Sequence, residues 1–525
     1  MRLFQRQGYC FFFVIIVCLL SWACSSDTIE CHGPDIQIEK FSLLKSVNPA
    51  IEEDVICPVA TNDTSIVMYA HNLSIFNNLI LSIDGVYDKI TIDGVNIQSG
   101  KTPLDFGKPQ IMEFSKGNVA KKYTVSITGY NGLPVMNIET DNGVSVTSKT
   151  DYVDATISLC NYGSDTWKTR GQIRGRGNVT WRNFPKKPYK IKFSQAESPL
   201  GLAQEKDWVL LADYTDKSLL RTVYMSEISK AVGLKYAINY KHIELFLNNE
   251  YMGTYVLTDQ VEKSKSRINI NKSGFIIEDD TYFYNEPYYF KTILNGCNFT
   301  FKYPDVITKD ENASFIEDYM NNLEAQLLVL KENPLGLGYL DYIDIDSFAK
   351  WFIVAEITGN LDPNLYYVLF SRTEKLLMMP MWDAEWSLGL ACKGNPEEFY
   401  GWYSNGQHGP MLPTDEYWKN QLYFKYLFLS PTFVECVKKQ WSNVKPSIMK
   451  AIEFLKQYRY TINDSQEDNF LKWPILDQYL GGTLIVCGGW SQEVDYIEKW
   501  LGDRVNWFDS YALREFSATG DEYFQ

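Results

Sequence analysis

The sequence predicts a mixed α+β protein that begins with an all-β module, and two patterns carry this prediction. Short strands separated by Asn, Gly and Asp turns fill residues 35–132. From residue 133 onward strands come first, and beyond Ser347 the chain is mostly helical by its apolar periodicity. Strands followed by helices in this order are typical of a two-lobed α+β domain.

The composition is that of a folded, acidic protein. The chain has 525 residues, a formal net charge of −15 and 45% hydrophobic residues, so a large core is possible. Nucleic-acid binding is excluded as a main role, because it needs clustered Lys and Arg side chains to neutralise phosphates. A local basic patch that binds a nucleotide is compatible with an acidic whole.

The N-terminus has the pattern of an export signal. Arg2 and Arg6 precede an apolar segment, residues 9–20, that is too short for a comfortable membrane span. The segment ends in LSWAC, which resembles a bacterial lipobox with Cys24 as the lipidated first residue. Plain cleavage is the alternative, since Trp22 is larger than that pattern usually carries. We therefore expect an exported lipoprotein in the outer membrane or on the cell surface, with a periplasm-facing position also open.

The strand-rich module has about the length and strand spacing of an immunoglobulin-like sandwich. It is interpreted as a glycan- or protein-binding module or as a spacer. The resulting division of the chain is a signal peptide 1–23, a tether 24–34, a β-sandwich 35–132, an α+β domain 133–515 and a tail 516–525.

A helix is predicted just before the most informative loops. Its apolar residues recur at i, i+3, i+4 and i+7 and share one face: Phe348, Trp351, Phe352 and Ala355. Asp346 is the expected N-cap and Gly359 the expected C-terminal stop.

Two acidic loops flank a predicted hairpin that follows this helix. Its strands are expected at Tyr366–Phe370 and Leu376–Trp382, so an antiparallel pair brings Asp362 and Asp383 to the same end. Phosphotransferases of the protein-kinase type use one loop Asp to position the hydroxyl, and a nearby Asn and a second Asp to hold metal. The alternative is that both are ordinary turn residues, since Asp favours turns.

A Gly- and Arg-rich turn and the strand after it are candidate phosphate-binding elements. The turn contains Arg174 and Arg176, whose guanidinium groups and neighbouring N–H groups suit phosphate, although a plain hairpin loop is the alternative. The strand alternates, with Lys190 and Lys192 on the face opposite its apolar residues. A kinase needs one strand Lys on the phosphates, held by a helical Glu. We assign Lys190, with Lys192 as the alternative, and Glu227 of the helix predicted over residues 219–232; an exposed lysine face is the other interpretation.

Further elements complete the expected lobes. A hairpin is predicted over residues 242–247 and 251–258, and strands over 274–279 and 299–303; the former strand is a candidate link between lobes, where adenine would bind. Helices are expected over residues 417–429, 443–460 and 493–511.

Ordered motifs across most of the chain resemble the CotH kinase family of spore-coat and secreted proteins. They span roughly Leu133 to Leu513 and read RGQIRGRGNVTWRNFPKKPYKIKF, LLRTVYMSEISKAVG, ELFLNNEYMGTYVLTDQVE, GNLDPNLYY, MWDAEWSLG and EVDYIEKWLGDRVNWFDS. The resemblance implies an atypical kinase that uses ATP with Mg²⁺ or Mn²⁺ and phosphorylates hydroxyls of a secreted or surface protein.

Site residues follow from the same resemblance. Asp362 is the expected base, and Asp383, Asn364 and Glu385 are the expected metal ligands. The nucleotide would be bound by Lys190, Glu227, Arg174 and Arg176.

Two departures from the family pattern leave alternatives open. The gap between Asp362 and Asn364 is short, and Glu385 stands where the family usually carries Asp. Preference for Mn²⁺, weak activity or an inactive surface lipoprotein that binds glycan or protein are therefore alternatives. Glycan hydrolysis by Asp383 with Glu385, as residues two apart on one strand, is another, and nucleotidyl transfer remains open.

Overall fold

The computed structural model describes residues 36–51, 54–59, 64–71, 73, 75–130, 132–160, 167–360, 364–390, 422–480, 483 and 485–512. The predicted signal peptide, Cys24, the tail 516–525 and Asp362 lie outside these ranges. No helix within them has both the length and the apolar character needed to cross a bilayer.

Residues 36–130 form two sheets around a shared apolar core. The sheet orders are β2-β1-β4-β7 and β3-β9-β8-β5-β6, and β3 runs parallel to β9. Phe41, Phe114 and Tyr123 from the two sheets pack edge to face or tilted at the centre of this core. The strands are β1 (Gln37–Leu43), β2 (Val55–Pro58), β3 (Ser65–His71), β4 (Leu79–Val86), β5 (Lys89–Ile92), β6 (Val95–Ile97), β7 (Pro103–Leu104), β8 (Gln110–Lys116) and β9 (Val119–Tyr130). An all-β module is present; its immunoglobulin-like class stays a prediction.

A closed barrel of seven strands follows, in the order β10-β11-β12-β13-β14-β16-β15. Parallel pairing of β10 with β15 closes it, and the other pairs are antiparallel. The strands are β10 (Val135–Thr140), β11 (Val153–Cys160), β12 (Trp167–Gly175), β13 (Tyr189–Glu197), β14 (Glu205–Leu211), β15 (Tyr240–Leu247) and β16 (Glu250–Asp259).

Period-two alternation decides which side chains fill the barrel. On β13 Tyr189, Ile191 and Phe193 are buried inside, while Lys190 and Lys192 lie outside, as the sequence pattern predicts. The predicted hairpin is β15–β16. Its turn uses Asn248 and Asn249 with positive φ angles of 51° and 65°, the conformation that a two-residue hairpin turn requires and Asn tolerates.

A five-stranded sheet that follows the barrel, called the second sheet below, packs with the helices to form the largest core. The sheet order is β18-β19-β17-β20-β21, with β17 (Phe275–Asp279), β18 (Tyr289–Lys291), β19 (Asn298–Tyr303), β20 (Leu365–Leu369) and β21 (Leu377–Met378). The helices are α1 (Val179–Asn183), α2 (Arg221–Val232), α3 (Glu311–Glu332), α4 (Ile345–Thr358), α5 (Leu422–Leu427), α6 (Pro431–Tyr458), α7 (Ser465–Lys472) and α8 (Trp490–Trp507). The chain is therefore mixed α+β, as predicted; α1 and α2 lie between barrel strands in the sequence, and the other helices of the described residues follow the barrel.

Two local predictions need correction. The N-cap of α4 is Asp344, whose carboxylate accepts from the Ser347 N–H at 2.8 Å; Asp346 lies inside the first turn and accepts from Gln440. The predicted second hairpin strand is much shorter than expected, because after β21 the chain leaves the sheet ahead of Asp383. Gly359 ends α4 at φ 55°, as predicted.

Candidate functional site

The hairpin β20–β21 brings Asn364, just before its first strand, and Trp382, after its second strand, to one end of the second sheet. Tyr367 is opposite Met378, and beyond this pairing the Asn364 N–H donates to the Trp382 carbonyl at 3.3 Å. Asp383 follows immediately. The segment before β20 and the segment after β21 therefore lie side by side, as the sequence predicts, although Asp362 itself is outside the described residues.

Asp383 is exposed and lies at a strained turn. Its φ of 64° is in the left-handed region, which is unusual for a residue with a side chain. Asn360, just beyond the end of α4, donates from its side chain to the Asp383 carbonyl at 2.7 Å and holds this conformation. Since Asp383 belongs to this turn and not to a strand, the strand spacing assumed for a glycosidase pair with Glu385 is wrong.

The Gly- and Arg-rich turn of the barrel reaches the same place. The Arg176 guanidinium lies 5.8 Å above the centre of the Trp382 ring, and the Arg176 N–H donates to the Pro188 carbonyl at 3.2 Å. Burial lowers the pKa of Arg176, while the nearby Asp383 carboxylate raises it. The barrel therefore places a cation over the residue that precedes Asp383, although 207 residues separate Arg176 from Asp383 in the sequence.

Arg174, predicted in the turn, lies two residues before Arg176 in the last part of β12, where it is paired with Lys190 of β13. Its guanidinium stacks on Tyr152 at 5.0 Å and donates to the Lys149 carbonyl. Its Nε is buried and has no hydrogen-bond partner among the described residues. Arg174 therefore supports the turn, whereas Arg176 is the arginine next to Asp383.

Glu385 holds a loop that follows β14. Its Oε1 accepts from the Thr215 N–H at 3.0 Å and also from the Thr215 hydroxyl. Burial raises the pKa of Glu385, and these two hydrogen bonds oppose that rise. The observed contacts give Glu385 a positioning role toward this loop; its role as a metal ligand stays a prediction.

Arg221 fixes the other end of the loop at the start of α2. It is fully buried, pairs with Asp216, and donates to the carbonyls of Ser387 and Leu388 at 2.8 and 3.3 Å. One guanidinium thus ties the 213–216 loop to the segment that carries Asp383. Such a buried, fully hydrogen-bonded cation is costly to remove, because its partners would be left unpaired.

Asp213, in the same loop, is a candidate that the sequence analysis missed. Its φ is 44°, again in the left-handed region, and its Oδ2 atom is buried without a hydrogen-bond partner in the described structure. Burial raises the pKa of Asp213 well above its usual value, and the nearby carboxylates of Asp216 and Glu385 raise it further. A buried carboxylate oxygen without a donor is suited to a cation that arrives with a ligand.

Lys186 is the second residue that the sequence analysis missed. It is 1% exposed, and its ammonium donates to the Thr254 carbonyl at 2.6 Å and to the Asn469 side chain at 2.9 Å. Burial lowers its pKa to about 7, and the nearby Asp213 carboxylate is the largest opposing influence. The sequence offers one signal for Lys186: it lies in PKKPYKIKF two residues before Pro188, ahead of the alternating strand β13, so the exposed face of that strand does not account for it.

The structure does not contain the predicted pair of Lys190 with Glu227. Lys190 pairs with Asp207 at 3.0 Å on the outside of the barrel. Glu227 accepts from Lys230 at 2.7 Å and from the Tyr240 hydroxyl at 3.0 Å. Kinase analogy predicts that these two residues pair with each other. In the structure Lys190 pairs instead with a residue of the neighbouring strand β14, and Glu227 pairs with a residue three positions further along α2.

Asn364 is also engaged. Its side-chain N–H donates to Glu278 of β17, which also pairs with Lys302 at 2.8 Å. Burial raises the pKa of Glu278, and Lys302 opposes that rise. The strand predicted over residues 274–279 as a candidate link between lobes is β17, which lies inside the second sheet. Its Glu278 fixes the Asn364 side chain beside the end of the hairpin.

Comparison with known proteins identifies the family of the chain. The family model described as CotH kinase protein matches residues 173–508, which is well over half of the chain. No match is found among the curated proteins. The chain belongs to the CotH kinase family. This membership indicates an atypical kinase activity, and it implies that ATP is the nucleotide used.

Proposed function

We propose that this protein is an exported CotH-type kinase that transfers phosphate from ATP to hydroxyls of a secreted or surface protein. The observation that carries the proposal is the position of Arg176 from the barrel, whose guanidinium lies over the ring of Trp382, the residue directly before Asp383. A guanidinium close to a carboxylate suits a phosphate whose charge is shared with a divalent cation.

Roles of the chain's own residues follow from this pairing. Arg176 binds a phosphate oxygen, and Asp383 binds the cation that accompanies the nucleotide. Asp362, two residues before Asn364 in the sequence, is the base that takes the proton of the acceptor hydroxyl. Lys190, with its own carboxylate partner Asp207, is not assigned to the phosphates here.

The donor set suits Mg²⁺ or Mn²⁺ held partly by the substrate. Among the described residues, no group of three His, Cys, Asp or Glu side chains is arranged to hold a metal ion. Mg²⁺, however, usually binds one or two carboxylates and completes its octahedron with phosphate oxygens and water. Asp383 and the unpartnered oxygen of Asp213 supply two such ligands, with Asn364 and Glu385 as neighbours already engaged elsewhere.

The same contacts favour one alternative, a weakly active or inactive surface lipoprotein that binds glycan or protein. Glu385 and Asn364 are both occupied by other partners, so the ligand set is sparse. In either case the export signal and Cys24 support a protein anchored by lipid in the outer membrane or at the cell surface.

A two-part experiment tests the proposal. ATP with Mg²⁺ or Mn²⁺ should raise the melting temperature of the wild type, because a ligand that binds only the folded state stabilises it. Asp383→Asn should lose most of this shift, whereas Asp362→Ala should keep it but abolish transfer of labelled γ-phosphate to protein. No shift in the wild type would reject nucleotide binding. A retained shift without any transfer would favour the inactive alternative.

A further inference from the structure

Four cations form a basic patch around the Gly- and Arg-rich turn at the barrel rim. The basic patch consists of Lys149, Arg174, Arg176 and Arg182. The chain as a whole has a net charge of −15, so this local concentration of positive charge runs against the protein's overall field.

The patch is built on fixed backbone. The Lys149 ammonium donates to the Gly177 carbonyl at 2.8 Å and to the Asn178 side chain at 2.9 Å. Trp181 of α1 lies against the turn so closely that a Cβ atom on Gly175 would collide with its ring. The cations are therefore held in place by the turn and by α1, and their proximity is a property of the fold.

Asn178 connects Lys149 with Arg182 at the outer end of the patch: the Arg182 backbone N–H donates to the Asn178 carbonyl at 3.2 Å, and the Asn178 side chain accepts from Lys149. Burial lowers the pKa of Lys149, and the next largest influences are Arg182, Arg174 and Arg176, each of which lowers it further. The Arg182 side chain is exposed; among the described residues it donates to its neighbour Asn183, at 3.3 Å, and forms no ion pair. Like charges held together in this way favour binding of an anion.

The patch extends outward from the candidate active site. Arg176, at the inner end, lies next to Asp383, whereas the electrostatic neighbours of Lys149 are the other cations. An anion bound by Lys149 and Arg182 would thus lie beside the nucleotide phosphates of the proposed active site and would not be a ligand of its metal ion. We propose that Lys149 and Arg182 bind an acidic segment of the acceptor protein next to its reacting hydroxyl, an inference that rests on the proposed kinase function.

The test uses the whole protein and a peptide-binding measurement that does not need catalysis. Two fluorescein-labelled peptides of equal length carry one Ser flanked by either Glu or Lys, and binding is followed by fluorescence anisotropy. We expect the acidic peptide to bind more tightly and to weaken as salt rises. Arg182→Glu should weaken it roughly tenfold and Lys149→Gln should weaken it too, because each removes a charge facing the peptide.

A matched control and a second readout keep the outcomes distinct. Lys101→Glu changes an exposed lysine of the N-terminal module by the same charge and should leave acidic-peptide binding unchanged. The ATP-induced rise in melting temperature should be retained in Arg182→Glu. If that rise is lost while the peptide still binds, the outer cations belong to the nucleotide and the inference fails.

The remaining outcomes are also decisive. Equal affinity for the two peptides, or no effect of Arg182→Glu, overturns the inference. A single-stranded oligonucleotide that binds with the same sensitivity to Arg182→Glu would assign the patch to nucleic acid instead. Acidic-peptide binding that depends on Arg182 in a protein without any response to ATP would support the docking surface and reject the kinase function.

Discussion

At the scale of single residues, the site depends on side chains held against their ordinary preferences. Asp213 and Asp383 both adopt left-handed backbone conformations; Asn360 holds the Asp383 carbonyl, and Glu385 holds Thr215, two residues after Asp213. Such strain persists only where surrounding contacts determine it, and it is concentrated at functional sites. Both carboxylates are therefore better candidates for ligand contact than the well-paired Glu227 or Lys190.

His242 gives a prediction for pH dependence. Burial lowers its pKa to about 4 from 6.5, and its ring nitrogens contact the Leu219 carbonyl at 2.8 Å and the Tyr458 hydroxyl at 3.0 Å. Between pH 6.5 and 4 the unfolded chain binds a proton that the folded protein does not. The free energy of unfolding therefore decreases as the pH is lowered from 6.5 to 4, by about 3 kcal/mol for this group. Below pH 4 this contribution no longer changes.

The measurement is urea unfolding of the wild type and His242→Gln at a series of pH values. Carboxyl groups such as Glu244, whose pKa burial raises to about 7, titrate in the same range but are common to both proteins. The difference between the two curves should thus isolate His242. The free energy of unfolding of the wild type should decrease relative to that of His242→Gln as the solution becomes acidic. A difference that does not change with pH would contradict the assignment.

At the scale of elements, two buried arginines connect helices to the segments around the site. Arg221 ties α2 to the chain after Asp383, and Arg504 ties α8 to α4. Arg504 and Glu356 are both fully buried, and their side chains meet at 2.6 Å. This pair therefore holds α4, the helix that ends at Gly359 shortly before the hairpin, against α8.

Arg504→Met should lower the free energy of unfolding by about 3–5 kcal/mol, because it leaves a buried carboxylate without its cation. Lys499→Met is the matched control on the same helix: its partner Asp503 lies at 2.5 Å, but the lysine is 76% exposed. An exposed pair contributes about 0–1 kcal/mol, so the control should lose little. Similar losses in the two variants, measured by chemical denaturation, would show that the buried pair has no special role.

At the scale of the whole molecule, an aromatic contact joins the N-terminal module to the barrel. Tyr69 of β3 packs against Phe246 of β15, with ring centroids 4.9 Å apart, and Val135 of β10 completes the cluster. The Tyr69 hydroxyl is buried and has no hydrogen-bond partner within the described ranges. The energy of this contact therefore comes from the ring and not from the hydroxyl.

Tyr69→Ala should weaken the coupling of the two parts by about 3–5 kcal/mol, the usual cost of removing a buried aromatic side chain. Scanning calorimetry should then show the module and the barrel melting at more widely separated temperatures than in the wild type. Tyr69→Phe should melt like the wild type or slightly higher, since it removes an unpaired buried hydroxyl. If Tyr69→Phe is as damaging as Tyr69→Ala, the ring contact is not what joins them.

The sequence by itself determined the local elements. Alternation predicted that Tyr189, Ile191 and Phe193 share one face and Lys190 the other, because the side-chain period of a strand is two. In the structure the first face fills the barrel. Helical spacing and Gly359 defined α4, and the order of helix, loop and hairpin predicted that the chain before the first strand would meet the chain after the second, as the Asn364–Trp382 hydrogen bond shows. These features depend on contacts between near neighbours in the chain.

The tertiary structure alone decided which distant side chains share the site. Closing the barrel and packing it on the second sheet brings Arg176 to Asp383, and it buries Lys186 near Asp213. Lys190 pairs with Asp207 and Glu227 with Lys230, although kinase analogy predicts that they pair with each other. Periodicity shows which face a residue occupies, but the partner across that face depends on how whole elements pack, and no local pattern encodes it.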